Sequence, residues 1–179
     1  MLQKIHKLYC SYEKEEKWLN DMAAKGMILK NYSWCTYFFE KDVPGKYIYR
    51  IEILENLPSH PESKSYIEFL EDTGVEYVCS YMRWVYFRKK ASEGTFDLYS
   101  DIDSRIKHYN RILKSFLAVF IINLMAMISN LIVGIQAMVD RNIYVNLGFA
   151  AMSFILSCLI GCIILAYKKK VKKLKKKSN

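Results

Sequence analysis

Residues 115–139, SFLAVFIINLMAMISNLIVGIQAMV, and residues 143–167, IYVNLGFAAMSFILSCLIGCIILAY, decide the architecture of the C-terminal half. Neither run holds a charged residue, and each is 25 residues long. As an α-helix such a run measures roughly 37 Å, enough to cross a hydrocarbon core of about 30 Å with some tilt. A soluble all-α domain is the competing reading, but its buried helices rarely need so long an uncharged stretch, and two in succession are rarer still. Only Asp140, Arg141 and Asn142 separate the runs, so an antiparallel transmembrane hairpin is expected.

Orientation follows from the basic residues. Arg105, Lys107, Arg111 and Lys114 precede the first span, and Arg141 alone lies in the connection. Lys168, Lys169, Lys170, Lys172, Lys173, Lys175, Lys176 and Lys177 follow the second span. Both termini are therefore expected in the cytoplasm of a multi-pass cell-membrane protein. Residues 1–30 contain no apolar run of the signal-peptide kind, so the first span is expected to act as its own insertion signal. The eight lysines account for all but one of the nine net positive charges. The remainder is nearly neutral, a poor electrostatic footprint for direct binding of nucleic acid. The lysine-rich tail reads first as a topology anchor at the lipid surface, and second as a site for anionic lipid or an acidic partner. Cys10, Cys35 and Cys79 are scattered, while Cys158 and Cys162 lie one turn apart in the second span. All five read as small apolar residues rather than a disulfide framework.

The first part of the chain carries a repeated pattern. A short strand in residues 3–9 precedes Ser11, which fits an N-cap, with Glu13, Glu15 and Glu16 near the positive end of the helix dipole. Trp18, Leu19 and Met22 have helical spacing, and Gly26 is placed to end the helix. Residues 27–31, 34–40 and 47–54 read as strands, with a turn at Pro44-Gly45. After Pro58 and Pro61, Tyr66, Ile67, Phe69 and Leu70 mark a second helix, which Gly74 ends. Residues 75–79 and 83–88 read as two more strands. At an offset of 48, Gly26 meets Gly74, Trp18 meets Tyr66, Phe38 meets Tyr86, and Phe39 meets Phe87. The expected fold class is α+β: a duplicated strand–helix–strand–strand cytoplasmic domain, with an antiparallel sheet and both helices on one side of it. The other sheet face then needs a cover, a ligand or a partner.

The expected organisation is a cytoplasmic domain over 1–90, with pseudo-repeats at about 3–41 and 46–89. A linker and amphipathic juxtamembrane helix over 91–114 follow. Spans at 115–139 and 143–167 and a basic tail at 168–179 complete it. Ser100 with Asp103 fits a capping pattern for the juxtamembrane helix, and Ile102, Ile106, Tyr109 and Leu113 form its apolar stripe. With no breaker before Ser115, this helix can run into the first span and couple domain to membrane. A passive helix in the headgroup layer is the alternative.

No catalytic constellation is visible. His6, His60 and His108 lack metal-ligand spacing, and there is no phosphate loop or nucleophile motif. No enzymatic activity, metal or cofactor is expected. In the spans, Asn123 and Asn130 share a face, and Ser153, Ser157 and Gly161 form a small-residue stripe. Helix packing explains both more simply than a polar substrate track, because no ionisable residue lies in either span. In the first part, Trp34, Phe38, Tyr49, Trp84 and Tyr86 fall on expected strands and read mostly as core. With Arg50 and Glu52, which alternate to the face opposite Tyr49, they are the candidate ligand or partner surface. An acid in an aromatic cleft would suit a lipophilic cation.

The stretch EEKWLNDMAAKG over residues 15–26 resembles the opening signature of a bacterial family catalogued as domain of unknown function 2812. Tyr47-Ile48-Tyr49-Arg50 resembles its central strand, and Trp84 with Tyr86-Phe87-Arg88-Lys89 its closing strand. Asp101-Ile102-Asp103-Ser104-Arg105-Ile106 resembles the segment before its membrane helices. The resemblance covers roughly residues 3–112. It implies a cytoplasmic domain with membrane spans, often encoded beside a PadR-like transcriptional regulator. The doubled strand–helix–strand–strand pattern is also topologically similar to GyrI-like effector-binding domains, which bind lipophilic drugs in a cleft between two units. The leading expectation is a non-enzymatic, membrane-anchored regulatory or accessory protein whose cytoplasmic domain binds a protein partner, with a PadR-like regulator as the candidate. The alternatives are a sensor of an amphipathic or lipophilic small molecule, and a self-associating structural subunit of a transporter assembly.

Overall fold

The computed structural model describes residues 2–99, 101–141 and 144–178. It divides into two compact units, Met1–Ser100 and Asp101–Asn179.

In the first unit the chain runs β1 (Gln3–His6), α1 (Tyr12–Ala24), β2 (Met27–Ser33), β3 (Thr36–Lys41), β4 (Tyr47–Ile53), α2 (Pro61–Asp72), β5 (Glu76–Tyr81) and β6 (Trp84–Lys90). This is strand–helix–strand–strand twice over. The first repeat forms an antiparallel sheet ordered β1-β3-β2, and the second forms one ordered β4-β6-β5. The duplication extends to register. Leu29 pairs with Phe39 and Asn31 with Phe38; at the 48-residue offset, Tyr77 pairs with Phe87 and Cys79 with Tyr86. A bulge falls at the equivalent place in each repeat, between Leu29 and Asn31 and between Tyr77 and Cys79. The strands thus occupy two sheets, where the sequence pattern suggested a single sheet. Edge strands β2 and β5 lie side by side. The bulge midway along each breaks the even spacing of N–H and C=O groups that a continuous ladder requires.

The helices also do not share one side. α1 packs between the two sheets, and α2 covers the far face of the second. Leu19 and Ala23 of α1 are sealed in a core with Leu29, Tyr37 and Phe39 of the first sheet and Tyr49, Ile51 and Tyr86 of the second. Trp18 packs edge-on to Tyr37 and Phe39, with ring centroids 4.8 and 5.6 Å away. On the opposite face of the second sheet, Val85 and Phe87 join Leu70 of α2, Val75 and Phe96, with Tyr66 and Ile67 alongside. The layers therefore run sheet, helix, sheet, helix. This is a tandem stack, so the expected bare face of the second sheet is already covered. The outer face of the first sheet is polar instead: Lys30 pairs with Glu40 at 2.9 Å, and the Lys4 ammonium lies over Phe38. A polar outer face is what ends a stack of repeats.

α1 also caps an edge. The Asn20 side chain accepts from the Tyr49 N–H at 2.7 Å and donates to the Tyr49 carbonyl at 3.1 Å. The Ile51 N–H donates to Glu16 Oε2 at 3.0 Å. Two helical side chains one turn apart thus satisfy the free edge of β4 and blunt it against further pairing. Ser11 precedes α1 as expected, but its hydroxyl donates to Glu13 and makes no backbone cap.

In the second unit, α3 (Ile102–Arg141) and α4 (Val145–Ser178) are packed antiparallel. α3 is one unbroken helix of 40 residues, about 60 Å long. Its cap is Asp101, whose carboxylate accepts the Ser104 N–H at 2.6 Å and the Ser104 hydroxyl at 2.8 Å. Ser100, expected to cap it, lies outside the described residues, as do Asn142 and Ile143 of the connection. Both helices are long and apolar enough to cross a membrane. Ile122, Met125, Ile132, Phe154, Ile155 and Leu159 are all exposed on the pair. The inward residues of α4 recur at Ala150, Ser153, Ser157, Ile160, Ile164, Tyr167, Val171 and Leu174, alternating steps of three and four. That is the seam of a left-handed coiled coil.

Both helices of the first unit end at left-handed glycines, Gly26 at φ +78° and Gly74 at φ +85°. Their surroundings differ. A Cβ on Gly26 would come within 2.5 Å of the Asp42 carbonyl oxygen, whereas one on Gly74 would meet only the end of the Glu93 side chain at 3.3 Å. Gly74→Ala is expected to cost about 1–2 kcal/mol from backbone strain alone. Gly26→Ala should cost clearly more, read as a larger fall in the thermal midpoint of the detergent-solubilised chain.

Candidate functional site

The first turns of α1 bring an unusual acid into the core. Glu15, Leu19 and Ala23 follow at steps of four, so they lie along one face of the helix. Leu19 and Ala23 are buried, and Glu15 occupies the next position toward the helix start. There it lies between the two sheets. Its Oε1 accepts the Tyr37 hydroxyl from the first repeat at 2.8 Å and the Tyr86 hydroxyl from the second at 2.6 Å. Tyr32 closes over both, with ring centroids 4.6 Å from Tyr37 and 5.3 Å from Tyr86. Glu15 Oε2 makes no hydrogen bond among the described residues, and it is not sealed from solvent. One oxygen is thus anchored and the other is open.

Electrostatics sharpen the contrast between Glu15 and its neighbour. Burial raises the pKa of both Glu15 and Glu16 above the ordinary carboxylate range. Glu16 has a counter-charge, the Arg50 guanidinium at 3.4 Å. Among the described residues no lysine, arginine or histidine pairs with Glu15; only the two tyrosine hydroxyls oppose the effect of burial. Burial and the adjacent carboxylate hold the Tyr37 and Tyr86 hydroxyls far above their usual pKa, so both remain donors. The remaining chemistry is muted. Burial pushes the Cys79 thiol up to about 12, which keeps it protonated at neutral pH. Among the described residues no three His, Cys, Asp or Glu side chains are placed to hold a metal ion.

The residues singled out in the sequence are dispersed. Tyr86 is part of the Glu15 cluster. Tyr49 is wholly buried, and its hydroxyl accepts the Leu29 N–H at 2.9 Å. Arg50 pairs with Glu16 and lies over the Phe96 ring at 5.8 Å. Glu52, the acid first considered for an aromatic cleft, is 1% exposed and accepts the Tyr66 hydroxyl at 2.7 Å, so it faces α2. Phe38 lies on the polar outer face of the first sheet, and Trp84 packs near Tyr12. Trp34 is not on a strand. With Cys35 it forms the two-residue β2–β3 turn, at φ +40° and +59°.

In the hairpin, the Asn123 amide donates to the Ser153 carbonyl at 2.9 Å and the Ser157 hydroxyl at 2.8 Å. Asn130 donates to Ala126 within its own helix at 2.8 Å. A Cβ on Gly161 would meet nothing within 4 Å; the close approach occurs at Gly134, where a Cβ would lie 2.9 Å from Leu147. The lysine-rich segment is helical, and Lys170 lies over the Tyr167 and Tyr109 rings at 4.7 and 5.7 Å. Glu15 was missed because an acid in a first turn is ordinarily explained by the helix dipole. The usable signal was its place four and eight residues before Leu19 and Ala23.

A doubled α+β unit with a carboxylate at its seam, followed by two helices of membrane-crossing length, is the class of protein that this fold defines. The chain belongs to the family described as protein of unknown function DUF2812, whose model matches residues 11–121. No curated protein and no solved structure matches it.

Linkage gives the carboxylate a measurable signature. Because the folded pKa of Glu15 is raised, the native state holds this proton more tightly than the unfolded state. Its contribution to stability is therefore greatest below the ordinary carboxylate pKa, and it is lost as pH rises through the raised value. Glu15→Gln is expected to flatten that part of the profile and to match or exceed the intact chain in stability at pH 7. Glu16 leaves a residual slope of the same sign. Glu15→Ala strands two buried hydroxyls and should cost about 1–3 kcal/mol. Thermal midpoints between pH 4 and 8 separate these outcomes.

Proposed function

We propose that this chain is a non-enzymatic regulatory protein anchored in the cell membrane by α3 and α4, with both termini in the cytoplasm. Its first unit acts by binding an amphipathic or lipophilic cation at Glu15. One observation carries the reading: Glu15 is a desolvated carboxylate with no counter-charge among the described residues, held by one tyrosine from each repeat. Stability alone does not require an acid there, since a glutamine would accept the same two hydrogen bonds without the cost of desolvating a charge. A carboxylate kept at that cost beside aromatic faces suits an organic cation, which gains from the charge and the rings together. Anchoring rests on the length and apolar surface of the two helices, and orientation on the lysines after the second against Arg141 alone between them.

Tetraphenylphosphonium binding to the full chain in lipid nanodiscs tests the site. Saturable binding is expected to weaken at least tenfold in Glu15→Gln. Equal affinity in the two proteins, or no saturable binding to either, overturns the reading. Reporter fusions test orientation: a C-terminal fluorescent protein should be bright, and a C-terminal alkaline phosphatase inactive.

A second reading keeps a protein partner, with a PadR-like regulator as the candidate. The exposed side of α2 favours it. Phe69 is 61% exposed there, among the exposed acids Glu62, Glu68, Glu71 and Asp72. An aromatic side chain ringed by acids suits a basic partner surface.

A further inference from the structure

We propose that the turn-bearing end of the first unit is a lipid-contacting tip, in which Trp34 and Met82, with Leu8 beside them, enter the interfacial layer of the bilayer. The proposal rests on the membrane-anchored part of the reading above and is independent of the cation site. Trp34 opens the two-residue β2–β3 turn, and Met82 opens the equivalent β5–β6 turn 48 residues later. Both side chains project into solvent, at 76% and 70% exposure. The turns are neighbours, since Trp34 and Tyr81 rings lie 6.4 Å apart and Tyr32 and Tyr81 rings 5.7 Å apart. The Lys7 N–H donates to the Cys35 carbonyl at 2.9 Å, which sets Leu8, 73% exposed, beside the first turn.

The backbone makes this arrangement informative. Trp34 has φ +40° and Met82 φ +54°, a region that bulky residues avoid and that glycine or asparagine would fill without strain. Both repeats therefore place a large apolar side chain at a strained, solvent-facing position, where neither contributes to a core. Strain of this kind is retained where the side chain serves a purpose outside the fold.

The occupant follows from the rest of the chain. Two helices of membrane-crossing length are covalently attached, so a bilayer is always at a high effective concentration around the tip. Tryptophan, an apolar body with a polar N–H, is a side chain enriched at membrane interfaces. The nearby cationic groups are engaged within the fold: the Arg83 guanidinium donates to the Leu54 carbonyl at 2.8 Å, and the Lys7 ammonium lies over the Tyr9 and Trp18 rings at 5.0 and 4.8 Å. Contact of Trp34, Met82 and Leu8 with zwitterionic lipid is apolar in origin.

Brominated phosphatidylcholine, which quenches tryptophan only on close approach, provides the test. The full chain is reconstituted into vesicles of this lipid and of its unbrominated counterpart. Failure of the chain to incorporate would sink the anchoring reading itself, and the tip with it. In incorporated protein, bromination is expected to remove about a third of the emission, because Trp34 is one of three tryptophans. Trp34→Phe should abolish the loss, and so should Trp34→Gly, which also relieves the turn. Equal loss in the intact and variant proteins assigns the quenching to Trp18 or Trp84 and overturns the proposal. So does no loss at all, with Trp34 still quenched by acrylamide from the water phase, which leaves the tip to a protein partner.

Discussion

The structure of the first unit depends on one helix serving two sheets. α1 covers its own sheet through Trp18 and Leu19 and at the same time fills the inner face of the next sheet against Tyr49, Ile51 and Tyr86. The core around α1 is completed by neither repeat alone. Six side chains from both repeats, Leu19, Leu29, Tyr37, Phe39, Tyr49 and Ile51, are at or below 1% exposure. Burying each is worth roughly 1.5–3 kcal/mol, and separating the repeats forfeits much of that at once. The same requirement explains the edge. A helix so close to β4 would otherwise shield its N–H and C=O groups from water, and Asn20 and Glu16 replace that water.

This arrangement shows what the sequence pattern could carry. The 48-residue offset aligned strands, turns and glycines, and the structure adds the same bulge and the same pairings at that offset. Alternation along a strand reports which face is apolar, but not which neighbour covers it. β4 is where that limit matters. Its inner residues Tyr47, Tyr49 and Ile51 meet α1, while Ile48 packs with the α2 cluster. A strand covered on both faces loses its clean alternation, so tandem stacking and a shared sheet predict similar residues. Trp34 failed for another reason: aromatic residues favour strands, and nothing local marks a turn built from tryptophan and cysteine.

The second unit was legible in its helices and less so in its seam. Hydropathy finds an apolar stretch but does not say which side of it turns inward. The inward line of α4 runs past the apolar stretch, with Tyr167, Val171 and Leu174 continuing it among the lysines. The basic segment is thus the end of a packed helix, with its charges on the outward sides. Asn123 supplies the specific contact. Between apolar surfaces an amide with two acceptors fixes the relative shift of the helices, and Gly134 lets Leu147 come close.

The seam acid joins these observations. Tyr37 and Tyr86 belong to different sheets, and Glu15 is the one side chain to which both donate. Its protonation state therefore bears on how the two repeats hold together, because the charged form is the one burial disfavours. A cation at Oε2 would supply a counter-charge and favour the ionised, bridged arrangement. Binding there and cohesion of the stack would then be linked, since anything that binds the folded form alone stabilises it. Glu16 shows the alternative solution within the same turn of helix: with Arg50 as its partner, it does the structural task without an open oxygen. Two adjacent acids of one helix, both raised in pKa by burial, thus differ in how their charge is met. One has the Arg50 guanidinium beside it, and no basic side chain pairs with the other among the described residues.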